Sequence, residues 1–127
     1  MITARFWRDR CGGTAVEFAL TLPAFLALII GAVEVGLLCW AQLALQQGSE
    51  AAARCASVNH TICGTTAQIK SYASAQSFGL APPATTFTVS TQACGKMVQA
   101  SYNPPFLTGY VMRGMTLTAS ACFPVTT

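Results

Sequence analysis

Apolar residues fill one long stretch near the start of the chain and then give way to mixed and alternating patterns. From residue 13 to residue 38 nearly every side chain is apolar, whereas glutamine and charged residues appear after Trp40. An α-helix needs about 20 such residues to cross the hydrocarbon core of a bilayer. The pattern therefore predicts one long helix over residues 13–56, with a membrane anchor to about residue 38 and a second half that projects beyond it.

Small residues recur at spacings of three and four in the second half of this helix, which places them on one face. Two interpretations stay open, and they are compatible. The stripe packs against the chain's own exported domain, or it allows close approach of neighbouring helices in a fibre. The stripe consists of Ala41, Ala44, Gly48, Ala51 and Cys55.

The remaining residues, 57–127, predict a small exported domain. Residues 65–77 have an amphipathic pattern typical of a second helix, and glycine and proline follow it. Residues 87–92 and 115–122 alternate in the manner of β-strands, and residues 96–102 follow Cys94-Gly95, which is typical of a hairpin turn. The prediction is an α+β fold: a long N-terminal membrane-spanning helix, then a small disulfide-stabilised domain with a second helix and a three-stranded antiparallel sheet.

The chain has six cysteines and one histidine, His60. Cys11 lies before the apolar run and Cys39 lies on the long helix. The other four could in number provide the four ligands of a structural zinc site, but no Cys-x-x-Cys pair occurs among them. Disulfides in an oxidising compartment are therefore the favoured interpretation. These four are Cys55, Cys63, Cys94 and Cys122.

Four cysteines allow three pairings. Cys55 and Cys63 are close in sequence, so a bridge between them would join the end of the helix to the next loop. That leaves Cys94 and Cys122 to connect the end of the first strand to the end of the last. A small domain with a thin core benefits from such bridges.

The charge distribution bears on orientation rather than on nucleic acid. Charged residues are 9% of the chain, hydrophobic ones 53%, and the net charge is +3. Arg5, Arg8 and Arg10 precede the apolar run, and the next positive residue is Arg54. No basic patch lies outside the leader, so we expect no nucleic-acid partner. The positive-inside rule predicts a cytoplasmic N-terminus and an exported C-terminal part.

Catalysis has little support in the sequence. His60 lacks a nearby nucleophile pattern, aspartate is absent after Asp9, and Glu50 is the sole exported acid clear of the predicted membrane span. We therefore expect no enzyme activity, no cofactor and no metal site.

The front of the chain carries the most specific pattern. A basic leader, residues 1–12, ends in two glycines, and Glu17 opens the apolar run. Gly12 and Gly13 alone are typical of a flexible linker, and Glu17 alone is typical of an acid stabilised at a helix N-terminus. Taken together they favour a membrane-inserted precursor that is trimmed and then assembled, because a carboxylate in a membrane segment is energetically expensive and usually functional.

These residues resemble the TadE-like family, whose members are pilin-like (pseudopilin) components of the bacterial tight-adherence pilus. The resemblance extends over residues 12–56 and is only general beyond them. It rests on GTAVEFAL at residues 13–20, Leu22-Pro23, VEVG at residues 33–36, WAQLALQ at residues 40–46 and AAARCA at residues 51–56.

The resemblance implies cleavage between Gly12 and Gly13 by a prepilin peptidase, which makes Glu17 the fifth mature residue. Glu17 would then pair with the amino terminus of an adjacent subunit. Glu34 is either solvated at the outer membrane interface or part of an intersubunit contact. The implied protein is a minor pilin or pseudopilin that contributes to pilus assembly, adhesion or secretion.

The implied location is the inner membrane, crossed once, and after processing a surface pilus. The implied partners are the membrane, other pilin-like subunits and the pilus assembly platform. One alternative is a single-pass anchored exported binding protein that forms no fibre. Another is a secreted protein with a signal peptide, although the apolar run continues well past a usual h-region.

Overall fold

The computed structural model describes residues 12–105 and 114–125, and it confirms the predicted α+β fold. The chain divides into two compact units, Met1–Val35 and Gly36–Thr127. We call the second the head unit. In chain order the elements are helix α1 (Gly13–Val58), helix α2 (Thr66–Ala75), a 3₁₀ turn (Ala84–Thr86) and strands β1 (Phe87–Gln92), β2 (Gly95–Tyr102) and β3 (Leu117–Phe123).

In the first unit, the described part of the chain is helix with apolar side chains on nearly every face. Leu20 is 75% exposed, and Phe18, Phe25 and Leu28 are also exposed. The apolar window of α1 has a mean hydropathy of 2.3 and is 11% buried. A helix that is apolar all round and uncovered is typical of a membrane span. By length and composition, α1 is the one candidate span in the described residues.

In the head unit, residues 36–58 of α1 bury one face against the sheet and α2. The buried positions recur every three or four residues, which is the spacing of a single helix face. Nearly all of them are small residues, so the backbone of α1 lies close to its neighbours. The buried positions are Leu38, Ala41, Ala44, Leu45, Gly48, Ser49, Ala52, Ala53, Ala56 and Ser57.

The three strands form an antiparallel sheet in the order β1-β2-β3. Val98 in the central strand pairs with Val89 and Ala121. Alternation along the strands sends these side chains and the fully buried Phe87 into the core. The opposite face is exposed, hydroxyl-rich and uncharged; Thr88, Gln99, Ser101, Thr118 and Ser120 lie on it.

Helix α1 lies along the outer edge of β3. Gln42 Nε2 donates to the carbonyl of Thr118 at 2.7 Å, and Gln46 Nε2 to that of Ser120 at 3.5 Å. Four helical residues rise ~6 Å and two strand residues ~6.6 Å, so the two repeats match. The glutamines thereby satisfy carbonyls that an edge strand would otherwise leave open.

The closest approach of α1 to α2 occurs at Gly48. A Cβ placed on Gly48 would lie 2.7 Å from the carbonyl oxygen of Ala73 and would collide with Ser77 Oγ. Glycine is therefore required here by space. Within the small-residue stripe, Ala41, Ala44 and Gly48 are buried in the head unit, which confirms packing against the chain's own domain at these three positions. Ala51 and Cys55 are half-exposed.

The end of α1 is fixed by local hydrogen bonds and one disulfide. Asn59 N donates to the carbonyl of Cys55 at 2.8 Å, and Asn59 Oδ1 accepts from the backbone of Thr61 and Ile62. The bridge between Cys55 and Cys63 spans 5.8 Å between Cα atoms. This disulfide is confirmed, and α1 runs two residues past its predicted end at residue 56.

The second predicted disulfide is also confirmed. Cys94 and Cys122 are bonded, with Cα atoms 6.2 Å apart. The turn beside Cys94 requires Gly95, whose φ is +123° and whose Cβ position would collide with the carbonyl of Phe123. Among the described residues the free cysteine is Cys39, which is exposed on α1.

Candidate processing and assembly site

Gly12 and Gly13 stand where α1 begins. The helix starts at Gly13, and Gly12 forms the last residue before it. A Cβ at either glycine would meet nothing within 4 Å, and neither residue has a positive φ. Packing and backbone conformation therefore do not require glycine at these positions, in contrast to Gly48 and Gly95. The leader residues 1–11, including Cys11 and the three arginines, lie outside the described residues.

Glu17 lies one turn into α1 and is exposed. No side chain in the described ranges 12–105 and 114–125 forms a hydrogen bond with its carboxylate. Apolar neighbours surround it along the helix, and Val16 and Phe18 are 59% and 64% exposed. A charge held in such an apolar surface is strongly disfavoured in lipid unless an opposite charge or donor meets it. The geometry leaves this carboxylate open to a partner from outside the chain.

Thr21, a polar side chain one turn after Glu17, is satisfied within the helix. Its Oγ1 donates to the backbone carbonyl of Glu17 at 3.0 Å and lies 3.2 Å from that of Phe18. A hydroxyl bonded to its own helix adds little cost in an apolar medium. The carboxylate of Glu17, in contrast, can still form hydrogen bonds with another molecule.

Glu34 has a different environment. Its side chain is 5% exposed, so the structure does not place it in solvent as the interface interpretation expected. By helical spacing Glu34 shares a face with Leu38, Ala41 and Leu45, which are the buried positions of α1. Glu17 and Glu34 are therefore not equivalent: the first is exposed and the second buried.

Two charged side chains of the head unit are engaged in hydrogen bonds within the chain. Glu50 Oε1 accepts from Gln46 Nε2 at 2.8 Å, and Lys96 Nζ donates to Thr91 Oγ1 at 3.1 Å. His60 is exposed. Within the described residues no three side chains of the metal-ligating types lie together.

Sequence reasoning missed the roles of Gln42 and Gln46. Both are half-buried and bind the edge of β3. From the sequence alone they were only polar residues that mark where the helix leaves the membrane. The signal that could have found them is their spacing: two amides four residues apart lie on one helix face beside the apolar positions.

The combination of one exposed apolar helix and a disulfide-bonded α+β head unit fits a single-pass membrane protein. The family model described as TadE-like protein matches residues 12–54, which confirms the resemblance inferred from these same residues. The matched segment starts at Gly12 and includes Glu17, Glu34 and both glutamines of the β3 edge. No curated protein and no solved structure matches the chain. The helix and the TadE-like segment fit a membrane protein associated with the tight-adherence pilus.

Proposed function

We propose that this protein is a minor pilin or pseudopilin of a bacterial tight-adherence pilus and that it contributes to pilus assembly, adhesion or secretion. The observation that carries the proposal is the start of α1. Helix begins at Gly13, the two glycines have no packing role, and Glu17 is exposed one turn later. A processing site explains glycine there, because a protease needs an accessible, unhindered backbone.

In this proposal a prepilin peptidase cuts between Gly12 and Gly13 and removes the basic leader. The N-terminus lies in the cytoplasm and the head unit is exported across the inner membrane, in keeping with the arginines of the leader. The two disulfides support export, since such bridges persist in oxidising compartments.

Glu17 would then bind the freed amino group of Gly13 in an adjacent subunit. The pairing of two opposite charges offsets the cost of each in the membrane, which is of order 2.5–3.5 kcal/mol for a lone carboxylate on insertion scales. The partners are other pilin-like subunits and the assembly platform. The role is structural rather than enzymatic, and it involves no cofactor, metal or nucleic acid.

The test is the mass of the mature protein together with a change at Gly12. Mass spectrometry of the membrane-extracted chain is expected to show a start at Gly13, and Gly12→Val is expected to accumulate the uncut form. Gly36→Val is the matched control, because a Cβ there also meets nothing within 4 Å. It adds the same bulk away from the cut and should leave processing unchanged. An intact Met1 in the natural protein would favour the anchored, non-assembling alternative.

A further inference from the structure

One face of α1 within the head unit stays uncovered, and its chemistry changes abruptly. Leu37, Trp40 and Leu43 are 37%, 42% and 67% exposed. The next exposed positions on the same face, at spacings of three and four, are the polar Gln47, Glu50 and Arg54, and Val58 then ends the helix. The face therefore passes from apolar to polar within one helical turn, between Leu43 and Gln47.

The length of the apolar surface identifies what covers it. Exposed apolar side chains follow one another along α1 from Val16 to Leu43, and the exposed Val58 at the end of the helix lies apart from this run. These ~28 residues rise ~42 Å in a helix, more than the ~30 Å hydrocarbon core but close to the 40–45 Å of the core with its headgroup layers. Tryptophan is enriched at that interface, and Trp40 lies near the end of the apolar surface.

The sheet end beside this part of α1 has a matching surface. Gln42 binds Thr118 near the start of β3, whereas Ser57 Oγ donates to the carbonyl of Phe123 at its end. Helix and strand thus run in the same direction, and the start of β3 lies beside residue 42. Met115, just before β3, is 40% exposed. At the opposite end of the sheet Gln92 is exposed and polar, and Val125, two residues after β3, is 38% exposed.

We propose that the head unit rests in the lipid headgroup layer. Leu37, Trp40 and Leu43 contact lipid, Met115 lies at the same level, and the boundary with water falls between Leu43 and Gln47. This inference rests on the membrane insertion in the proposed function. It goes further by stating how deep the head unit lies in the bilayer and that lipid headgroups cover the exposed face of the helix.

The first test is cysteine accessibility in the full chain, reconstituted in vesicles of phosphatidylethanolamine and phosphatidylglycerol. Cys11→Ser and Cys39→Ser remove the two cysteines outside the disulfides. Leu28→Cys, Leu43→Cys and Glu50→Cys are then introduced singly and treated with a membrane-impermeant maleimide. We expect Leu43→Cys to react on the order of tenfold more slowly than Glu50→Cys, because a thiol in apolar surroundings ionises less readily.

Two outcomes of this test are distinguishable. If Leu43→Cys reacts as fast as Glu50→Cys while Leu28→Cys stays protected, the protein is inserted but the head unit stands clear of the headgroups, and the proposal is overturned. If Leu28→Cys also reacts quickly, membrane insertion itself fails and the proposed function fails with it. The matched pair Met115→Cys and Gln92→Cys applies the same comparison to the two ends of the sheet, with slower reaction expected at Met115.

The second test separates lipid from a protein partner. With Trp7→Phe as background, Trp40 becomes the remaining tryptophan of the chain. Lipids brominated near the headgroup are expected to quench its fluorescence more strongly than lipids brominated deep in the acyl chain. Protection of Leu43→Cys without quenching of Trp40 would show that another helix covers this face, and the proposal would be wrong.

Discussion

Gln42 donates a 2.7 Å hydrogen bond to the carbonyl of Thr118 and thereby ties the long helix to the outer edge of the sheet. We expect Gln42→Ala to lower the free energy of unfolding of the head unit by about 0.5–1.5 kcal/mol, the usual net contribution of such a bond. Near-UV circular dichroism of the detergent-solubilised full chain during thermal unfolding measures the change. Gln47→Ala, at an exposed position of the same helix, is the control and should leave the transition unchanged. Equal stabilities for the two variants would show that the bond carries no net energy.

Gly48 provides a sharper test of packing. Gly48→Ala places a methyl group against the carbonyl of Ala73 and Ser77 Oγ, so α2 must shift away from α1. We expect a loss of about 1–3 kcal/mol in the free energy of unfolding, typical of overpacking. Gly36→Ala is the matched control, because its methyl group meets nothing and alanine favours helix by about 0.5–1 kcal/mol. A stabilised Gly48→Ala would contradict the close approach of the two helices.

The two disulfides are expected to differ in their contribution. The Cys94–Cys122 bridge closes a separation of 28 residues and the Cys55–Cys63 bridge one of 8. Chain-entropy arguments then make the longer bridge worth about 1 kcal/mol more, within a usual total of about 2–5 kcal/mol for a native disulfide. Cys122→Ser should therefore reduce stability and cellular abundance more than Cys63→Ser.

Cys39→Ser is the control for both bridges, since Cys39 is a free and exposed cysteine. Its stability and abundance should match those of the natural protein. Immunoblotting for abundance and non-reducing peptide mapping for the bridges check the series. Four free thiols in the exported protein would contradict both bridges, and a greater loss for Cys63→Ser would contradict the ranking.

Glu17 tests the assembly mechanism. Glu17→Leu should still insert, because a charge is removed from the membrane segment, and should still be cut, because the scissile bond depends on Gly12 and the leader. It should be absent from the surface pilus if its charge binds a neighbour's amine. Cell fractionation followed by shearing of pili measures this. Thr21→Val, one turn further on, removes a hydroxyl bonded within the helix and should assemble normally. Normal assembly of Glu17→Leu would leave Glu17 as an ordinary helix-terminus acid.

Local patterns predicted most of the fold. The long helix follows from a continuous apolar run, and the strands follow from alternation such as Phe87, Val89 and Thr91 against their polar neighbours. Helix α2 begins one residue later than predicted because Thr65 is its N-cap: Thr65 Oγ1 accepts from Gln68 N, while Gln68 Oε1 accepts from Thr65 N. The bridge between Cys55 and Cys63 followed from their closeness in sequence, which left the second bridge by elimination.

The features that sequence reasoning missed depend on long-range placement. Gln42 and Thr118 are 76 residues apart, so their bond depends on how the helix lies along the strand rather than on any local pattern. The burial of Glu34 was also missed, because hydropathy alone predicted that it would be solvated at the outer membrane interface. Gly48 was correctly placed in a small-residue stripe, but its exact fit against α2 required the positions of Ala73 and Ser77.

The placement of the two disulfides also limits how far the head unit can extend under force. A load applied between Gly36 and Val125 passes through each sulfur bridge and bypasses the chain that the bridge encloses. Unfolding with both bridges intact therefore releases about 36 fewer residues, or roughly 120 Å less extended chain, than unfolding after reduction. Single-molecule pulling with and without a reductant measures this difference. Under load, a subunit with both disulfides intact would therefore extend less than a reduced one. The force would pass to neighbouring subunits after a smaller extension.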